Sequence, residues 1–384
     1  MSSRTGLLAF AVALTALALS AGVSGYGICS ALAAPGLPSA TSLVQEPGAE
    51  MSLPHVLIVA TGGTIASRAG SPENLSGYSV ADTGEDLVAA VPSISDVARV
   101  TVEQYSNVPS TAITPADWVR LAQLINGALE PQGEGPYGDV DAVVVTHGTD
   151  ALEETAFFLN LTVRSEKPVV IVGAMRPASA ISADGQLNLL SAIRVAAHPT
   201  SRDRGVLVVL NQEINAARDV TKANTKLVQT FAARGLGILG VVEGNRPVYY
   251  RGTERRHTHE SEFDVSALAP DDLPRVDVSY TYAGSDGVDV DAFVAKGARG
   301  IVVATAGAGA TTHGQSAALR RAFEAGVIVA RSSRTGSGRV GSGRSRGGSV
   351  SADDLNPQKA RILLMLALTV TENAGEIQQI FDTY

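Results

Sequence analysis

The chain has 384 residues, enough for about two domains with sizeable cores. Hydrophobic residues make up 45% and charged residues 18%, which excludes a disordered chain. A formal net charge of −8 excludes the basic face that phosphate backbones need, and the single cysteine, Cys29, excludes an intrachain disulfide or a thiolate metal site.

Residues 1–34 stand apart from the rest. Arg4 precedes an apolar stretch, Leu7 to Ala34, and Ala31-Leu32-Ala33 offers small residues where a signal peptidase reads. This predicts a cleaved secretory signal; an uncleaved anchor is the alternative, since about 20 apolar residues span a bilayer. Tyr26-Gly27-Ile28 is a poor context for lipid attachment to Cys29. Residues 35–52, rich in Pro, Ser and Gly, read as an unstructured lead-in.

From His55 onward, short β-branched runs alternate with helical patterns. Strands are predicted at Val56–Ala60, Ala142–Thr146, Val169–Gly173, Val206–Asn211, Ile301–Ala304 and Val327–Arg331. They are apolar throughout, which suits strands covered on both faces. Helices are predicted at Ala151–Leu161, Gln186–His198, Gln315–Ala325 and Pro357–Thr371, the last with Asn356 as N-cap. The alternation implies an α/β fold with a parallel sheet. The polar segment around Arg255–Glu260, with Pro270 and Pro274, breaks it. We therefore expect a larger N-terminal domain (53–250), a linker (251–275) and a smaller C-terminal α/β domain (276–384). The glycine- and serine-rich basic run from Arg331 to Arg346 reads as a loop.

Three segments carry candidate chemistry. Thr61-Gly62-Gly63-Thr64-Ile65-Ala66 follows the first strand, where open α/β sheets bind ligands. Its two glycines let backbone N–H groups approach a developing anion, and Thr64 would expose its hydroxyl there. An ordinary turn is the competing reading. A phosphate loop fits poorly, because neither the three spaced glycines nor a following lysine is present. Thr146-His147-Gly148-Thr149-Asp150 follows another strand. Thr149 offers a second hydroxyl, Asp150 either a functional carboxylate or a helix N-cap, and His147 either a general base or a structural hydrogen-bonder. In Asp219-Val220-Thr221-Lys222, a lysine near a threonine hydroxyl could relay its proton, though most lysines are solvated.

Together these segments resemble the signatures of the bacterial type II L-asparaginases. Ala174-Met175-Arg176-Pro177, Ser182-Ala183-Asp184-Gly185 and Leu355-Asn356-Pro357 leading into Ala360-Arg361 agree, and the resemblance covers essentially all of Leu53–Tyr384. It implies an amidohydrolase that converts L-asparagine to L-aspartate and ammonia, secreted or periplasmic, without metal or organic cofactor, assembled as a homotetramer. By the same resemblance Thr64 is the nucleophile on a lid running to about Gly84, and Tyr78 is the tyrosine that orients it. Thr149, Asp150 and Lys222 form a second constellation, with Asp150 also pairing the substrate α-ammonium. Ser110 grips the α-carboxylate, while Gly63 and the backbone around Thr149 stabilise the oxyanion.

Three departures qualify the resemblance. Thr111, expected to contact substrate, stands where relatives carry Gln or Glu beside the substrate-binding serine, and Ala310 where they often carry Asn or Ser near the site. The region from Arg339 to Gly348 holds no acidic residue, although relatives supply from it a Glu that reaches a neighbouring subunit's substrate. Arg344 and Arg346 would repel an ammonium, so substrate binding is expected to be weaker or altered. The rival readings are a mixed glutaminase-asparaginase, a D-asparaginase side activity and an extracytoplasmic amino-acid binding protein. A transfer-RNA amidotransferase subunit is opposed by the acidic charge and the export signal.

Overall fold

The computed structural model describes residues 52–130, 136–341 and 348–384. The expected export signal, most of the lead-in and Cys29 lie outside the described residues, as do Arg344 and Arg346.

The chain opens on β1 (His55–Gly62), every residue of which is buried. A two-stranded ribbon follows, β2 (Ser67–Arg68) with β3 (Ser79–Val80), then α1 (Gly84–Ala89), β4 (Arg99–Val108) and α2 (Pro115–Ala128). β5 (Ala142–Thr146), α3 (Leu152–Thr162), β6 (Val169–Val172), α4 (Gly185–Ala196) and β7 (Val206–Leu210) continue the βα alternation. The chain then turns antiparallel through β8 (Glu213–Ala216), leaves the sheet for a small ribbon of β9 (Thr221–Lys222) and β10 (Phe231–Ala232), and returns as β11 (Gly240–Glu243) and β12 (Arg246–Tyr249). The large sheet has the order β12-β11-β8-β7-β6-β5-β1-β4, parallel from β7 to β4. A second sheet, β13-β14-β15-β16, is parallel throughout, built from β13 (Val276–Tyr280), β14 (Gly300–Thr305), β15 (Ile328–Ser333) and β16 (Val350–Ser351). Its helices are α5 (Val288–Ala295), α6 (His313–Glu324), α7 (Pro357–Val370) and α8 (Ala374–Thr383).

The continuous apolar strands are explained by burial on two sides. In β1, Leu57 and Val59 join one core with α2, α3, α7 and α8, while Val56 and Ile58 join another with α4. Val143 and Val145 of β5 divide from Val144 in the same way, as period-2 geometry requires. α7 has buried residues along nearly its whole length and touches α3, β13, β14 and β15, so it joins the two sheets through one shared core. Asn356 caps it by accepting the Lys359 N–H at 3.0 Å, an arrangement worth about 1 kcal/mol.

The strand order fixes where a site can form. β1 lies between β4 and β5, the two strands that follow it in the large sheet, so the chain moves to one side of β1 and then crosses to the other. That reversal opens a crevice beyond the carboxyl ends of these strands.

Candidate active site

The ends of β1, β4 and β5 are tied together by backbone and hydroxyl contacts. The Thr61 hydroxyl donates to the Thr146 carbonyl at 2.8 Å, and Ser106 Oγ donates to the Thr61 carbonyl at 3.0 Å. A register shift between Ala60 and Gly62 lets Gly62 face Val108 at φ +103°, where a Cβ would lie 2.6 Å from the Val108 backbone. Gly63, at φ +83°, rests against Gly148, where a Cβ would meet the Gly148 Cα at 2.2 Å. Gly62 therefore lets the β1 loop pass close to the end of β4 and Gly63 lets it touch the β5 loop, which explains the Gly62-Gly63 pair.

The same geometry corrects one expectation. The Gly63 N–H donates to the Val108 carbonyl at 3.0 Å, so that amide is committed to the strand end and is not offered to an oxyanion. Its carbonyl is also engaged, accepting from Ser67 Oγ at 2.8 Å and from the Ala66 N–H at 3.0 Å. The glycine serves close approach.

Thr64 begins a single 3-10 turn, Thr64–Ala66, and its Oγ1 lies 3.2 Å from the Tyr78 hydroxyl across the ribbon. The lid is held to the body by a few bonds. The Ala178 N–H donates to the Ser67 carbonyl at 2.7 Å, the Ala69 N–H to Ser179 Oγ at 2.9 Å, and the Ile181 N–H to the Pro72 carbonyl at 2.9 Å. Arg68 pairs with Asp82 at 2.5 Å.

Opposite stands the second cluster. Lys222 Nζ donates to Thr149 Oγ1 at 2.8 Å and to Asp150 Oδ1 at 2.6 Å. The lysine reaches across the sheet to Thr149 rather than serving its neighbour Thr221, whose Oγ1 instead lies 3.5 Å from Asn356 Nδ2. Asp150 does not cap α3: the capping position is Ala151, with no side-chain hydrogen bond. Its carboxylate is 65% exposed while the Lys222 side chain is only 16% exposed, so the pair presents an acceptor to the cleft from a largely covered cation.

Ser110 is buried at the end of β4, and its Oγ accepts the Ala151 N–H at 3.3 Å, leaving the hydroxyl proton for another acceptor. A Cβ on Gly148 would lie 2.8 Å from that oxygen, so the β4 and β5 loops are in contact here as well. Thr64, Tyr78, Ser110, Thr149 and Asp150 line one cleft of about 460 Å³, together with Gly63 and Asn107. Lys222 lines the adjoining cleft of about 470 Å³ and reaches the first through the partition. Thr111 is exposed and outside the cleft lining, and Ala310 lies exposed in the loop after β14. Arg339 pairs with Asp353.

His147 resolves as a structural hydrogen-bonder. The Gly148 carbonyl can only accept, so His147 Nδ1 carries the ring proton and donates to it at 2.8 Å, leaving Nε2 to accept from the Thr155 hydroxyl at 3.0 Å, while Trp118 Nε1 donates to Thr155 Oγ1 at 2.9 Å. Complete burial pushes this imidazole down to about 4, keeping it neutral. A neutral, doubly bonded ring fixes the loop that carries Thr149 and has no role as a base.

Sequence reading did not find the supports behind the cluster. Glu153 in the first turn of α3 is buried and accepts from Asn356 Nδ2 and Gln358 Nε2, both at 3.1 Å. Lys359 is buried and donates to the carbonyls of Ala217 and Arg218 at 2.8 Å each, and to that of Val220. The only available signal was a charged residue at an apolar position of α7.

Residues 55–255 match the family model described as Asparaginase, N-terminal, and residues 275–381 match the Glutaminase/Asparaginase C-terminal domain. The chain is 45% identical over 336 residues to L-asparaginase 2 of Bacillus subtilis (strain 168), covering 86% of this chain and 87% of that protein. It is 43% identical over 342 residues to L-asparaginase 2 of Escherichia coli (strain K12), covering 88% and 95%. A solved structure described as a probable cytoplasmic L-asparaginase from Campylobacter jejuni superposes with a TM-score of 0.82 at 41% identity, covering 86% of this chain and all of that one.

Proposed function

Because the chain belongs to the asparaginase family, we propose that it hydrolyses the side-chain amide of L-asparagine to L-aspartate and ammonia, with Thr64 as nucleophile. The observation that carries this reading is the pairing of two hydroxyls with two different proton handlers on one cleft: Thr64 with Tyr78, and Thr149 with Lys222.

The chemistry follows from those contacts. Thr64 Oγ attacks the amide carbon, and its proton leaves through the Tyr78 hydroxyl towards the departing nitrogen, which is expelled as ammonia. The resulting aspartyl ester on Thr64 is then attacked by water, which returns a proton to Thr64 Oγ and releases aspartate. Thr149 accepts from Lys222, so its own proton is free to point at the carbonyl oxygen as charge develops there. The backbone of Gly148 and Thr149, held by His147, supports that same position. Asp150 keeps one oxygen on Lys222 and offers the exposed edge to the α-ammonium, while Ser110 Oγ donates to the α-carboxylate.

A second reading, a mixed glutaminase-asparaginase, is favoured by a family description that names both enzymes. The chain is proposed to act outside the cytoplasm after loss of residues 1–34, with domains over 53–250 and 276–384 and a homotetrameric assembly. Rapid quenching of the enzyme with L-asparagine, followed by mass spectrometry of its peptides, tests the mechanism. An aspartyl ester on the peptide carrying Thr64 is expected; an ester on the peptide carrying Thr149 would reverse the assignment.

A further inference from the structure

The Lys222 cluster is assembled from two segments 72 residues apart, the loop after β5 and the ribbon strand β9. Neither is anchored to the other by the large sheet, because β9 pairs only with β10. What both segments touch is the first turn of α7, which belongs with the second sheet. Lys359 Nζ holds the carbonyls of Ala217, Arg218 and Val220, the run leading directly into Thr221 and Lys222. Asn356 Nδ2 lies within 3.1 Å of Glu153 and 3.5 Å of Thr221, spanning the helix that follows Asp150 and the strand that carries Lys222. Gln358 adds a second bond to Glu153.

We propose that Asn356 and Lys359 are positioning residues for the amidase reaction, holding β9 and the start of α3 at the separation that lets Lys222 reach Thr149 and Asp150. The inference rests on the reaction proposed above. Three carbonyl acceptors satisfy all three donors of an ammonium, so Lys359 fixes three peptide units of the approach to β9 at once. A buried cation is costly to place, and burial pushes its amine down to about 8. Glu153 and Asp219 near it offset part of that cost. Tight packing makes such a turn a rigid reference, since α7 is buried on nearly every side.

The test compares the full chain with Lys359→Met, which keeps the unbranched stem and removes the donors. Two readouts are taken: steady-state ammonia release from L-asparagine, and the reactivity of the Lys222 amine towards trace acetic anhydride, measured against exposed Lys296 by mass spectrometry. Folded Lys359→Met is expected to lose about tenfold or more in kcat with KM changed less than about twofold, and to alter the Lys222 to Lys296 ratio by about threefold. Should Lys359→Met not fold, Asn356→Asp keeps the helix cap, removes the bridging donor and is read in the same way. A folded variant with kcat within about twofold of the parent, or with the amine ratio unchanged, overturns the inference. If the parent itself releases no ammonia, the reaction proposed above fails, and the amine ratio alone decides whether the turn positions Lys222.

Discussion

The two halves of the cleft are built to different standards of rigidity. The Thr64–Tyr78 half sits on a short ribbon whose tyrosine is 36% exposed and which touches the body through scattered backbone bonds. The Thr149–Asp150–Lys222 half is held from beneath by His147, Thr155 and Trp118, and from the side by the first turn of α7. A nucleophile on a lid can close over substrate and open for product, whereas charges that stabilise a transition state gain most from being fixed beforehand. On the proposed mechanism, the difference predicts that the first half is the moving part and the second the fixed field against which it works.

Perturbing the fixed half should cost most. Lys222→Met removes the donor to both Thr149 and Asp150, and kcat is expected to fall by about 10²–10⁴ with the fold intact, measured by ammonia release alongside circular dichroism. Tyr78→Phe removes one hydroxyl from an exposed lid. A fall of about 10–100-fold in kcat with an unchanged melting temperature is expected, and equal loss in both variants would erase the contrast between the halves.

The buried relay gives effects on stability instead. Thr155→Val leaves the Trp118 N–H and His147 Nε2 without partners, at about 1–3 kcal/mol for each, which thermal unfolding would show as a loss of several degrees. His147 adds a pH signature. Its folded-state value of about 4 lies below the ordinary 6.5, so the neutral ring's contribution is complete above 6.5 and is lost as pH falls from there to about 4. The wild type should lose roughly 3 kcal/mol more than His147→Gln over that window, read by denaturant unfolding. Arg68→Ala takes one partner from the Asp82 carboxylate, whose side chain is only 10% exposed, and should cost about 1–3 kcal/mol.

The parts of this design that the sequence reveals are those set by local pattern. β1, β5, β6 and β7 are legible because both faces are buried, so their apolar runs need no partner to be read. β4 is not, because it lies at the sheet edge and mixes polar residues such as Glu103, Gln104 and Asn107 into a half-exposed strand. α2 was open to detection: Thr114 and Asp117 form a reciprocal capping box around Pro115. The strand-end threonines are visible as polar residues interrupting buried runs. Which hydroxyl meets which proton handler is not visible in the residues themselves, where Asp150 alone resembles a helix cap, and is supplied only by the resemblance, which sets Tyr78 with Thr64 and Lys222 with Thr149 and Asp150. His147 misleads for the same reason, its partner chain ending at Trp118 on a different helix. Long-range pairing, not composition, holds the information that was missing.

The central claim is that Thr64 attacks the amide. Ammonia release by the purified protein, offered L-asparagine and L-glutamine separately beside Thr64→Ala, tests it directly. The account predicts turnover of asparagine by the parent and a loss on the order of 10⁴-fold or more in a variant that remains folded. Turnover by Thr64→Ala close to that of the parent would contradict it and move the nucleophile to the other side of the cleft.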